Sequence, residues 1–122
     1  MKPQHIYCEV FMRDVYVFHQ WTQEAFESYM LKNYKITFNK LSNLGGCMRV
    51  IENGQHDIIL LWTRKTKDKI RATATLTHEA IHVTNEILNG AGVEIDTKND
   101  ELQAYHISMI VRKTLRGAQC SK

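Results

Sequence analysis

The chain of 122 residues has few of the residues that cross-link or interrupt a fold: three cysteines, one proline and six glycines. Cys8, Cys47 and Cys120 are odd in number and show no C-x-x-C spacing. We therefore expect reduced thiols, and neither a disulfide framework nor a cysteine zinc site. With 43% hydrophobic and 24% charged residues, the composition is that of a soluble globular domain and excludes disordered and collagenous chains.

Long apolar runs are absent as well. The longest, residues 58–62, has the length of a strand and is far shorter than the roughly 20 residues of a membrane helix. The N-terminus lacks the apolar stretch of a secretory signal, so we expect a cytoplasmic protein without membrane contact. The net charge is only +3. A basic stretch at residues 64–71 gives weak support for nucleic-acid binding, which is the least favoured function.

The residue pattern predicts a single α+β domain over residues 1–122 with a small mixed or antiparallel sheet. Strand-forming residues at 6–11 and 15–18 fit either one bent strand or a short hairpin, and Thr22 is the expected cap of a helix that ends near Lys35. Further along, the pattern predicts a hairpin of strands 47–51 and 57–62 with its turn at the Asn53-Gly54 step, and a helix from about Ala72 to Asn89. A last helix is expected to start after Asp96 or Thr97, with Thr97 and Asp100 as a capping box, and to continue to Arg116.

The two strands of the 47–62 hairpin differ in character. The run Ile-Ile-Leu-Leu-Trp at 58–62 has no polar alternation, which predicts an interior strand covered on both faces. Arg49 interrupts the partner strand at 47–51, so that strand is the more probable sheet edge, where an extended peptide could bind through backbone hydrogen bonds.

The helix that follows contains His78-Glu79-Ala80-Ile81-His82, the pattern H-E-x-x-H. Histidines four residues apart lie about 40° apart around a helix and one turn along it, so both imidazoles can reach one metal ion. Glu79 lies about 100° from His78. It can face a water on the metal and act as a base. The helical wheel predicts two apolar stripes on this helix, which leave the histidines on a polar side facing a cleft. The first stripe is Leu76, Ala80, Val83 and Ile87, and the second is Ala74, Ile81 and Leu88.

A tetrahedral catalytic zinc site needs a third protein ligand. Glu101 lies near the start of the next helix, with eighteen residues between it and His82, in a row whose other members are apolar or small: Ala104, Ser108, Val111 and Leu115. That row predicts an inward-pointing carboxylate, which is costly unless a cation neutralises it. The alternative is that Glu101 only benefits from the positive end of the helix.

His78-Glu79-x-x-His82 followed by Glu101 resembles the zincin metallopeptidases, in particular the glutamate-ligated gluzincins, and also the small intracellular peptidases that cleave bacterial and phage repressors. The resemblance implies a minimal zincin-like core, with Zn²⁺ held by His78, His82 and Glu101 and with Glu79 as general base. It covers about the last 45 residues. The G-x-M-x-N loop of aminopeptidases has no counterpart here, so exopeptidase specificity is not expected.

Two further residues of the last helix are candidates for the site. Tyr105 lies one turn after Glu101, where its hydroxyl could stabilise an oxyanion; alternatively it is a packed tyrosine. His106 lies about 140° from Glu101 and is expected to be an ordinary surface or core histidine. The leading interpretation is a zinc peptidase acting on peptides or proteins. The alternative is a zincin-like metal-binding regulatory protein without turnover.

Overall fold

The computed structural model describes residues 1–53, 56–98 and 100–120. Its regular elements, in chain order, are β1 (Gln4–Cys8), β2 (Arg13–Trp21), α1 (Gln23–Tyr34), a short 3₁₀ turn (Leu41–Asn43), β3 (Gly46–Asn53), β4 (His56–Arg64), α2 (Lys69–Gly90) and α3 (Glu101–Cys120). The α+β class is therefore confirmed. The first two strands form a hairpin, which decides between the two arrangements left open by the sequence.

The four strands form one mixed sheet in the order β1-β2-β4-β3. β2 and β4 are parallel, and the two outer pairs are antiparallel. β3 is therefore an edge strand and β4 an interior strand, as predicted. The Asn53-Gly54 step expected to form the β3–β4 turn lies partly outside the described residues.

Two hydrophobic cores cover the two faces of the sheet. On one face α2 and α3 pack on side chains that include Val15, Ile59 and Leu61. On the other face α1 packs on the opposite side chains of the same strands, including Phe18 and Trp62. Every residue of the 58–62 run is buried, so the prediction of a strand covered on both faces is confirmed.

The helix boundaries follow their capping residues. Thr22 accepts a hydrogen bond from Ala25 N and α1 ends before Lys35, whose φ of 58° is left-handed, as expected. α2 begins at Lys69 and not near Ala72, because Asp68 accepts hydrogen bonds from two amides of the first turn.

The last helix differs more from its predicted span, since it begins at Glu101 and extends to Cys120. The capping box predicted from Thr97 and Asp100 is wrong. Asp96 instead closes a turn by accepting a hydrogen bond from Lys98 N at 3.0 Å, and the first backbone bond of α3 runs from Ala104 N to Asp100 O.

A polar network ties the end of β2 to the chain that leads into α2. The pairing of β2 with β4 shifts register between Phe18 and Trp21, where Gln20 has a φ of 63°. The Thr63 hydroxyl accepts from Gln20 N at 2.9 Å and lies 2.7 Å from His19 Nδ1. The Gln20 side chain also donates a hydrogen bond to Thr66 O and accepts one from Thr66 N.

Candidate metal centre

The two motif histidines lie side by side on α2. The Nε2 atoms of His78 and His82 are 3.3 Å apart, and the His78 side chain is 68% exposed. Two nitrogens bound to one tetrahedral zinc at 2.0–2.1 Å lie about 3.3 Å apart. The pair is thus spaced as two ligands of one zinc ion and is open to solvent on the side where a metal and a substrate would approach.

The Glu79 side chain, unlike that of His78, is buried and points towards the sheet. Its side chain is only 9% exposed, and its Oε2 lies 4.0 Å from His78 Nε2. Burial raises the pKa of the Glu79 carboxyl, and the nearby His78 and His82 partly oppose that rise. A carboxyl with a raised pKa is a stronger base than an exposed glutamate, which suits it to proton transfer.

A cleft opens beside this carboxylate, between the start of the edge strand and α2. It has a volume of about 410 Å³ and is lined on one side by residues 43–46 and on the other by Ala74, Thr75, His78 and Glu79. Gly46 makes the close approach possible. A Cβ there would lie 3.1 Å from Cγ of Glu79 and 2.6 Å from the carbonyl oxygen of Trp62.

Arg64 holds the outer wall of the cleft in place. Its guanidinium donates to the carbonyl oxygens of Leu44 at 2.9 Å and Leu41 at 2.6 Å, and its backbone N–H donates to Gly45 O at 2.8 Å. Gly46 and Arg64 were not predicted from the sequence as parts of the site. The Gly45-Gly46 pair in the sequence could have indicated the close approach of β3 to α2. No local pattern, in contrast, distinguishes Arg64 from its basic neighbours.

The buried faces of α2 agree only partly with the helical-wheel expectation. Leu76, Ala80, Val83 and Ile87 are fully buried, and they form the predicted apolar stripe against the sheet. The second predicted stripe, Ala74, Ile81 and Leu88, is wrong for its first two members, which are exposed. The exposed side of α2 is where the histidines and the cleft lie.

Glu101 does not point inward. It is exposed, as are Ala104 and Ser108 of the row predicted to face the core. The buried row of α3 is a different one, formed by His106, Met109, Ile110 and Thr114. Gln103, half-buried, donates to Asn85 Oδ1 of α2 at 2.8 Å, which is consistent with this rotation of α3.

The predicted ligand set is consequently not assembled. Within residues 1–53, 56–98 and 100–120, no three His, Cys, Asp or Glu side chains are grouped closely enough to hold a metal ion. His78 and His82 fit two ligand positions, and Glu101 as the third ligand stays a prediction.

The other candidates lie outside the cleft lining. Tyr105 is 58% exposed on α3, and its role as an oxyanion donor also stays a prediction. His106 is buried, with Nδ1 2.8 Å from Leu102 O, as expected of a core histidine. Burial raises the pKa of the Cys47 thiol to about 11, so this cysteine is protonated at neutral pH.

Comparisons with known proteins add no relative to this picture. No family model, no curated protein and no solved structure matches the chain. Among the described helices, none is long and apolar enough to cross a membrane.

Proposed function

We propose that this protein is a zinc-dependent peptidase that hydrolyses peptide bonds in the cleft between β3 and α2. The observation that carries the proposal is the 3.3 Å separation of His78 Nε2 and His82 Nε2 beside a carboxylate that is buried at the floor of an open cleft. The two imidazoles are also within hydrogen-bond distance of each other, so it is the buried Glu79 carboxyl beside them that favours a metal centre over a purely structural pair.

Each residue has a defined task in this proposal. His78 and His82 hold the ion, and Glu101 is the proposed third protein ligand, which α3 brings to the site by a movement of its first turn. A bound zinc ion lowers the pKa of water towards about 7 and polarises a carbonyl. Glu79 accepts the proton of the attacking water at its carboxylate and returns it to the nitrogen of the leaving amine.

The substrate is a peptide or protein segment in extended conformation. β3 is an edge strand, so alternate backbone groups on its outer side are available to pair with such a segment. Tyr105 is the proposed donor to the oxyanion, again after movement of α3. We place the reaction in the cytoplasm, because Cys8 and Cys47 are free thiols and reduced cysteines are typical of that compartment.

The metal is tested first. Protein incubated with zinc and then dialysed is expected to retain one equivalent by elemental analysis, and His78→Ala and His82→Ala are each expected to lose it. His106→Ala is the matched control, because this buried histidine lies outside the site and should leave the zinc content unchanged. Retention of zinc by both motif variants would remove the metal centre from the proposal.

Catalysis is tested separately. Glu79→Gln should keep the metal and lose hydrolysis of a peptide library, since the amide is nearly isosteric with the carboxylate but cannot accept the proton. Full activity of this variant would exclude Glu79 as the base.

The second candidate is a metal-binding regulatory protein without catalytic turnover. The exposure of Glu101 favours it, because a zinc ion held by two histidines and solvent is less firmly fixed than one with three protein ligands. This candidate predicts that zinc-loaded protein stays inactive against peptide libraries. It also predicts that Glu79→Gln leaves partner binding unchanged.

A further inference from the structure

The active-site cleft continues along α2 towards the start of the helix. A second depression of about 550 Å³ is lined by Lys69, Ile70, Thr73 and Ala74. Ala74 also lines the cleft that contains His78 and Glu79. The two depressions share one exposed alanine, and we call the surface that they form together, from His78 to the first turn of the helix, the α2 groove.

Lys69 lines the far end of the α2 groove, and the chain on either side of it is strongly basic. Lys65, Lys67, Lys69 and Arg71 are all exposed, with Asp68 as the one acidic residue among them. The Asp68 carboxylate accepts hydrogen bonds from Ile70 N and Arg71 N at 3.1 Å, so it is committed to the helix cap. In the part of the chain that the structure describes, none of the four cations forms an ion pair.

Between the cations and the histidines the groove is apolar. Ile70 is 84% exposed and Leu44, on the opposite wall of the cleft, is 42% exposed, with Ala74 between them. Exposed apolar side chains in a continuous strip next to unpaired cations are typical of binding surfaces. Residues 65–74 include no aromatic side chain on which a base could stack. These features favour a peptide over a nucleic acid.

We propose that the α2 groove selects extended peptides with an apolar residue near the scissile bond and acidic residues to one side of it. The apolar side chain contacts Leu44, Ala74 and Ile70, and the carboxylates lie near Lys65, Lys67 and Lys69. This inference rests on the proposed function, because it names the substrate class of the same cleft, but its test measures binding and needs no turnover.

The experiment uses fluorescence anisotropy with zinc-incubated Glu79→Gln protein, which prevents cleavage during the measurement. The probes are a labelled peptide with a central leucine and a run of glutamates on one side, the same peptide with the run on the other side, and a version with glutamines. One exposed charge pair contributes little binding free energy. Three such pairs together predict that the glutamate peptide with the favoured orientation binds about tenfold more tightly than the glutamine peptide.

The triple substitution Lys65→Glu, Lys67→Glu and Lys69→Glu should abolish that preference. Acidic residues are favoured at a helix N-terminus, so these changes should not weaken the fold, and a denaturation midpoint checks this. The matched control is Arg112→Glu, Lys113→Glu and Arg116→Glu, which reverses the same number of exposed charges on α3 and should keep the preference. Ile70→Gln, at an exposed position, should weaken binding of all three peptides several-fold.

Each remaining outcome overturns the inference. Equal loss of the preference in both triple variants would mean an effect of net charge alone, and equal binding of the glutamate and glutamine peptides would mean no selection. Tighter binding of a single-stranded oligonucleotide than of any peptide would assign the basic end to nucleic acid.

The two proposals fail in different ways. Charge-dependent binding without cleavage by the wild type keeps the α2 groove and removes the peptidase. Cleavage without any preference for acidic peptides keeps the peptidase and removes the selectivity.

Discussion

Replacing Gly46 by alanine tests the closest packing in the site. The added Cβ would lie 2.6 Å from the carbonyl oxygen of Trp62, 3.1 Å from Cγ of Glu79 and 3.2 Å from Cγ2 of Thr75. The carbonyl contact cannot be relieved by a side-chain rotation, because it belongs to the neighbouring strand β4. Trp62 is fully buried and its ring stacks on Phe26 at 5.1 Å, so moving its backbone disturbs the second core.

Overpacking of this kind costs about 1–3 kcal/mol, and a rigid backbone neighbour places Gly46→Ala near the middle of that range. About 2 kcal/mol corresponds to a fall in Tm of roughly 6–10 °C for a domain of this size. Urea denaturation followed by far-UV circular dichroism measures the free energy of unfolding directly. Because Glu79, the proposed base, is another close neighbour, the variant should also hydrolyse peptides more slowly.

Gly45→Ala is the matched control. A Cβ at this neighbouring position meets only Thr75, at 3.8 Å, which is ordinary van der Waals contact, so its free energy of unfolding should stay within about 0.5 kcal/mol of the wild type or rise slightly. If Gly46→Ala and Gly45→Ala are equally stable, the argument that a close approach of β3 to α2 requires glycine is refuted.

Three further predictions concern pH, capping and the third ligand. Burial lowers the pKa of His19 from 6.5, so its contribution to stability is present above pH 6.5 and is lost as the pH falls through the lower folded-state value; denaturation midpoints should show a smaller loss on acidification for His19→Gln. Asp68→Ala should lower the free energy of unfolding by about 1 kcal/mol, and Asp68→Asn by much less, because asparagine is also a good N-cap. Glu101→Ala should reduce zinc affinity in a chelator competition while Glu94→Ala, an exposed carboxylate in the preceding connection, leaves it unchanged; equal affinities would exclude Glu101 as a ligand.

The sheet was predictable because its signals are local and mutually consistent. A five-residue apolar run without alternation fits only an interior strand, and Arg49 in the neighbouring strand marks the edge. The start of α2 was less predictable. Residues 63–71 look like a solvated basic loop, whereas the Asp68 cap turns Lys69 and Arg71 into the first turn of the helix. Polar residues do not distinguish a loop from a solvent-facing first turn unless the cap is identified.

Within the candidate site, the proximity of the two histidines follows from their spacing on one helix, whereas contacts that depend on tertiary packing were not predicted. His78 and His82 need only helical periodicity to meet. Gly46 and Arg64 contribute through β3 and β4, and their roles arise from chain segments that the fold brings together. A single sequence contains no periodic signal for such contacts.

The rotation of α3 explains why Glu101 was placed on the wrong face. The row chosen from the sequence is small and apolar, whereas the buried row includes His106 and Thr114, so residue type alone selects the wrong side. Gln103, bonded to Asn85, faces α2, and Glu101 lies about 200° around the helix from it. For Glu101 to bind the same ion as His82, the first turn of α3 would have to rotate from the observed position. In the proposed function, part of the zinc-binding free energy would then be spent on this rearrangement, so the apparent zinc affinity would be lower than that of a preformed three-ligand site.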